Sequence, residues 1–82
     1  MMPRFYFDID DGDRFVRDDE GWDLVDEDAA REEAVAVLPN VARWSLETGD
    51  RRDIVTWVRD ERGQPILAAS LSLAVKTLRP VV

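Results

Sequence analysis

The chain has no cysteine and no histidine among its 82 residues. The first absence excludes a disulfide framework, thiolate metal ligands and any thiol nucleophile. The second excludes imidazole-based triads and histidine-ligated zinc. Lysine is nearly missing as well: ten of the eleven basic side chains are arginine, and they are scattered. Acids outnumber bases by 18 to 11, for a net charge of −7. That balance argues against nucleic acid as a partner, because such a surface needs a basic patch. No run approaches the roughly 18 apolar residues of a membrane span. The opening Met1-Met2-Pro3-Arg4-Phe5 has no apolar h-region. The expectation is a cytoplasmic bacterial protein with no membrane or nucleic-acid partner and no cofactor.

What is present is globular. Hydrophobic residues make up 45% and charged residues 35%, outside the composition of disordered chains. The length supports one domain, residues 1–82. Ordering such a chain costs on the order of 100 kcal/mol of conformational entropy, and a core this small barely offsets it. Small domains without disulfides or metals often gain stability by oligomerising, so a homodimer is expected. The charge is uneven. Residues 1–33 hold 13 acids and 4 arginines, for −9, and residues 34–82 hold 5 acids and 7 bases, for +2.

Arg4-Phe5-Tyr6-Phe7-Asp8-Ile9-Asp10 alternates apolar and polar residues, as a half-buried strand does. Asp11-Gly12 marks a hairpin, with residues 14–17 returning. A two-residue loop would set Phe7 against Val16 and Ile9 against Arg14; a three-residue loop would set Ile9 against Phe15. Asp18 to Gly21 is a second turn, after which Trp22 and Leu24 bring the chain back over the core. Asp26 is the expected N-cap of a helix over residues 27–46, with Glu27 and Asp28 favoured in its first turn. Ala30, Ala34, Val37, Val41 and Trp44 fall within about 80° of arc, and further apolar residues widen the face to roughly 200°. So wide an arc calls for a second packing surface. Pro39 either kinks this helix or divides it in two, and Gly49 caps its end.

Residues 53–59 and 65–75 read as a closing pair of strands around the turn Asp60-Glu61-Arg62-Gly63. If Gly63 ends a three-residue loop, Trp57 faces Leu67 and Val55 faces Ala69. Ile54, Val58 and Ile66 then share the opposite side of the sheet, away from the helix. The expected fold is α+β in the order β-β-α-β-β, a four-stranded antiparallel sheet with one Pro-kinked helix on one face.

The motifs offer little chemistry. Asp8-Ile9-Asp10-Asp11-Gly12-Asp13 spaces oxygen ligands as a calcium loop does. Counting from Asp8, however, glycine falls one position early, and Asp19 stands where a chelating Glu belongs. An acidic hairpin turn is the favoured reading and weak divalent-cation binding the alternative. Asp18, Asp19, Glu20 and Asp23 would need burial to raise a pKa for acid–base work, and exposed turns do not provide it. Trp44 belongs to the helix stripe, Trp22 follows a turn as an exposed interaction residue, and Trp57 fits either core or a dimer contact.

Pro3-Arg4-Phe5-Tyr6-Phe7, Asp11-Gly12, Asp18-x-Glu20-Gly21, Ala29-Ala30-Arg31-x-Glu33-Ala34, Leu38-Pro39 and Val58-Arg59-Asp60-Glu61-x-Gly63-x-Pro65-Ile66-Leu67 stand together in one chain. With Ser70-Leu71-Ser72-Leu73 they cover nearly its whole length. In these residues the chain resembles a family of short, mostly alphaproteobacterial proteins of unknown function, a resemblance that implies no catalytic residues. Residues 18–34 are also similar in pattern to the small domain of Hic-type antitoxins. The expectation is therefore a non-enzymatic interaction or regulatory module, homodimeric, with Trp22, Trp57, Ile54, Val58 and Ile66 as interaction residues. An antitoxin-like inhibitor of a basic toxin is the other reading.

Overall fold

The computed structural model describes residues 2–44 and 51–79, and only the backbone of Trp44 and Arg51. The elements run β1 (Arg4–Asp10), β2 (Phe15–Val16), β3 (Trp22–Asp23), α1 (Glu27–Trp44), β4 (Arg51–Arg59) and β5 (Pro65–Ala74). The class is α+β, as expected, but the antiparallel sheet has five strands. Its path is β2-β1-β4-β5, and the additional two-residue strand β3 pairs with β1 beyond the end of β2. There Trp22 lies opposite Phe5 and Asp23 opposite Arg4.

The first hairpin turns one residue later than Asp11-Gly12. The Asp11 N–H donates to the Arg14 carbonyl at 3.1 Å, so the two-residue loop is Gly12-Asp13. Ile9 faces Val16 and Asp10 faces Phe15, a register that neither loop considered from sequence would give. Gly12 has φ +96° while Asp13 keeps a negative φ, the pattern of a II′ turn with glycine first. The Asp11 carboxylate fixes the loop by accepting the N–H groups of Asp13 and Arg14 at 2.9 and 2.8 Å.

The second hairpin has the expected three-residue loop. Asp60 N–H donates to the Gln64 carbonyl at 2.9 Å, and Gly63 N–H returns to the Asp60 carbonyl at 3.0 Å. One residue further, the register slips. Arg59 lies opposite Pro65 but Val58 lies opposite Leu67, leaving Ile66 as a bulge. A slip of one residue moves every later side chain to the other face. Trp57 therefore faces Ala68 and Val55 faces Ser70, while Ile54 faces Leu71. The expected face assignment is reversed: Ile54 and Val58 lie under the helix and Trp57 lies on the open side.

α1 begins at Asp26, whose carboxylate accepts the Ala29 N–H at 2.9 Å. It passes through Pro39 without interruption, so the chain does not form two short helices there. Its expected end near Leu46, the Gly49 cap and the Trp44 side chain lie outside the described residues. The helix packs on β4 and β5. Ala30 and Ala34 are fully buried at this contact, because residues this small let the helix approach the sheet closely. They meet Phe5 and Val58, with Phe7, Leu24, Ile66, Leu67 and Ala69 around them. Thr56 is also fully buried, and its Oγ1 has no hydrogen-bond partner.

Candidate interaction site

The outer edge of β1 is covered in two pieces, by β2 at one end and β3 at the other. The side chain of Asp18 fills the gap between them. Its Oδ2 accepts the Phe7 N–H at 3.0 Å, and its Oδ1 accepts the N–H groups of Glu20 and Gly21 at 3.0 Å each. A carboxylate thus stands where the carbonyl of a neighbouring strand would otherwise pair with β1. Gly21 makes the tight return with φ +75°; a Cβ there would come within 2.8 Å of Arg4 Cγ and Tyr6 Cε2.

Asp8 and Arg59 support this turn from the side of the sheet away from the helix. Arg59 Nε donates to Asp8 Oδ2 at 2.7 Å and Nη2 to Asp8 Oδ1 at 3.0 Å. The same Nη2 reaches the Asp18 carbonyl at 2.9 Å, and the Asp18 N–H donates to Asp8 Oδ1 at 2.9 Å. The Tyr6 ring lies 4.9 Å from the guanidinium carbon, a cation–π contact that completes the shielding. Hydrogen bonding from Arg59 holds the Asp8 carboxyl below its ordinary range, against the opposing effect of burial. Burial pushes Asp18 upward, but the N–H groups of Gly21, Phe7 and Glu20 together hold it low as well. Both acids are ionised clamps that join β1, β4 and the turn.

Trp22 rises from this framework on the helix side. It meets Phe7 edge-on, with ring centroids 6.4 Å apart and planes at 69°. Because α1 lies over β4 and β5, a groove of about 420 Å³ opens between the helix and β1. Phe7, Trp22, Ala36 and Val37 form its apolar lining, with Asp18, Glu33 and Asn40 as polar members.

The residues expected to mediate interaction are not brought together. Trp22 is 52% exposed at the groove, and Trp57 is 43% exposed on the opposite face of the sheet. Ile54 and Val58 are 1% and 0% exposed; they belong to the core and offer no surface, because the Ile66 bulge turned them inward. Ile66 itself is partly buried against that core. The acids of the first hairpin are committed elsewhere: Asp10 accepts the Gly12 N–H, Asp13 pairs with Arg52 at 3.1 Å, and Asp8 pairs with Arg59. Among the described residues no group of three acidic side chains is placed to hold a metal ion.

Sequence reasoning missed the Asp8–Arg59–Asp18 network. The available signal was an acid in the middle of an apolar strand, between Phe7 and Ile9. Its partner is 51 residues away, and only the β1–β4 register brings the two within reach.

Residues 4–72 match the family model described as a domain of unknown function, DUF6894. No curated protein and no solved structure matches the chain.

Proposed function

The chain belongs to the DUF6894 family, and we propose that it is a non-catalytic interaction module that works as a homodimer. One observation carries this reading. Among the described residues only six apolar side chains are buried, two of them alanines, whereas eleven large hydrophobic side chains are exposed. A domain of this size depends on every apolar contact it can make, so covering part of the exposed set with a second copy would stabilise it. The acids that are packed support the non-catalytic part: Asp8 and Asp18 are held ionised by Arg59 and by backbone N–H groups, the opposite of what a proton donor at neutral pH needs. Sedimentation velocity at micromolar concentration tests the reading. A dimer is expected; a monomer throughout that range would overturn it.

A different observation favours a second reading, docking of a basic protein as an antitoxin-like inhibitor does. The Trp22–Phe7 groove carries Asp18 and Glu33, and the neighbouring Glu20 is exposed, while Asp23 is paired with Arg4 at 2.9 Å. An apolar anchor flanked by arginines matches that surface. Calorimetric titration with an arginine-flanked leucine peptide should give heat that Trp22→Ala abolishes; no heat from the parent chain would discard it.

A further inference from the structure

We propose that the dimer forms by antiparallel pairing of β5 with β5 of a second copy, joining two sheets into one across a two-fold axis near Ser72. This rests on the homodimeric reading above and names its interface. The argument begins with the two edges of the sheet, which are built differently. At the β1 edge the covering strands are two residues each, and the Phe7 N–H between them is taken by the Asp18 carboxylate. A further strand finds no ladder to join there. At the other edge β5 runs ten residues, and among the described residues β4 is its one neighbour in the sheet. Such an edge presents a row of main-chain donors and acceptors, and proteins that stay monomeric usually blunt it with charge, proline or a bulge. Here Pro65 and the Ile66 bulge sit at its first two positions, and beyond them the strand itself carries no charge, proline or further bulge.

Charge selects the occupant. Residues 65–75 contain no charged side chain, in a chain whose net charge is −7. Across most of the remaining surface two copies would bring like charges together, above all through residues 1–33, which carry −9. Most of those acids lie on the β1–β2–β3 side, whose edge the strand order sets farthest from β5, while Glu27 and Asp28 of the helix start lie beside Ala68 and Ser70. Pairing through β5 near Ser72 joins uncharged strand residues and keeps the acidic β2 and β3 edges of the two copies apart. It also covers apolar surface. Leu71 and Leu73 are exposed although they lie on the helix side, opposite Ile54 and Arg52. An axis at Ser72 sets Leu71 of one copy against the partner's Leu73, twice over, and cross-strand pairs of this kind are the unit of sheet stabilisation. Ser72 points to the open face, opposite Asp53, so it meets its own counterpart without disturbing the core.

Two variants of the full chain test this. Ser72→Lys places two like charges directly opposite each other at an exposed position; circular dichroism checks that it folds, and sedimentation velocity is expected to read a monomer. Ser72→Cys uses the absence of native cysteine. Directly opposite residues of an antiparallel pair lie roughly 4.5–5.5 Å apart at Cα, within disulfide range, so a mild two-electron oxidant supplied at one equivalent per pair of thiols should give a covalent dimer. Glu32→Cys, on the exposed helix surface, should cross-link far more slowly. If the parent chain is a dimer and folded Ser72→Lys is a dimer too, or both cysteine variants cross-link alike, the β5 interface is wrong while the homodimeric reading stands. A monomeric parent chain removes both.

Discussion

Asp8 sits between Phe7 and Ile9 in the middle of β1, a position where an acid survives only because Arg59 reaches it through two hydrogen bonds. Both side chains are almost wholly withdrawn from solvent. Removing one member of such a pair leaves the other charge uncompensated, so Asp8→Asn should lower stability by about 3 kcal/mol in urea denaturation. The pH dependence follows from the same contacts. Asp8 and Asp18 are both lowered from an ordinary value of 3.8. A carboxyl whose folded pKa lies below its unfolded one contributes fully above the unfolded value and loses that contribution as pH falls through the folded one. The melting temperature should therefore hold from neutrality down to about pH 5 and fall steeply below about pH 4, and Asp8→Asn should flatten that fall. Thr56 predicts a gain instead. Its hydroxyl is buried and unpartnered, so the near-isosteric Thr56→Val should raise stability by about 1 kcal/mol. Two glycines separate backbone strain from crowding. Gly21 and Gly63 have φ of +75° and +79°, yet a Cβ at Gly21 meets Arg4 and Tyr6 within 3 Å while one at Gly63 meets nothing. Gly63→Ala should cost about 1 kcal/mol for the conformation alone, and Gly21→Ala clearly more; equal losses by thermal melting would contradict the crowding.

At the scale of elements, what was legible in the sequence was what is decided locally. The helix start is an example: Asp26 precedes two acids and an alanine-rich stripe, and its carboxylate does accept the Ala29 N–H. Asp26→Ala should cost about 1 kcal/mol in chemical denaturation. The Gly63 loop was legible for the same reason, because a glycine after Asp-Glu-Arg admits few closures. The faces of β4 and β5 were not. Leu67, Ala69, Leu71 and Leu73 alternate with small residues, a pattern that fits the core from either register of the partner strand. The choice is made by Ile66, which reaches the core beside Leu67; accommodating both on one side requires the bulge, and the bulge carries Ile54 and Val58 inward with it. That gain depends on where α1 lies, which no local pattern of β5 encodes. β3 escaped notice because two residues, Trp22 and Asp23, are too few to show a period. The site followed suit: Trp22 was legible as an exposed aromatic after a turn, whereas the carboxylate clamp that positions it joins residues far apart in the chain.

For the whole molecule, the placement of charge relative to the open edge decides how association responds to salt. The acid-rich β1–β2–β3 edge and the uncharged β5 lie at opposite ends of the strand order, whereas Glu27 and Asp28 of the helix start lie beside the first half of β5. A dimer joined at β5 then carries a total charge twice that of one copy with its densest acidic regions at the two far ends. Screening weakens repulsion between those ends and touches none of the hydrogen bonds or leucine contacts at the axis. Raising NaCl from about 0.05 M to about 0.5 M shortens the Debye length from roughly 14 Å to roughly 4 Å, and the dimer dissociation constant should hold or decrease by a small factor. An interface in which the acidic hairpin of one copy met Arg52, Arg59 or Arg62 of another would respond in the opposite direction, with dissociation promoted steeply by the same change. Arg59 is bound within its own chain by Asp8 and Arg52 by Asp13, so such a contact would fall to the exposed Arg62. Equilibrium sedimentation across that salt range, on the parent chain and on Ser72→Lys, reads the sign directly; weakening of the parent dimer by salt would assign the association to charge and exclude the uncharged edge.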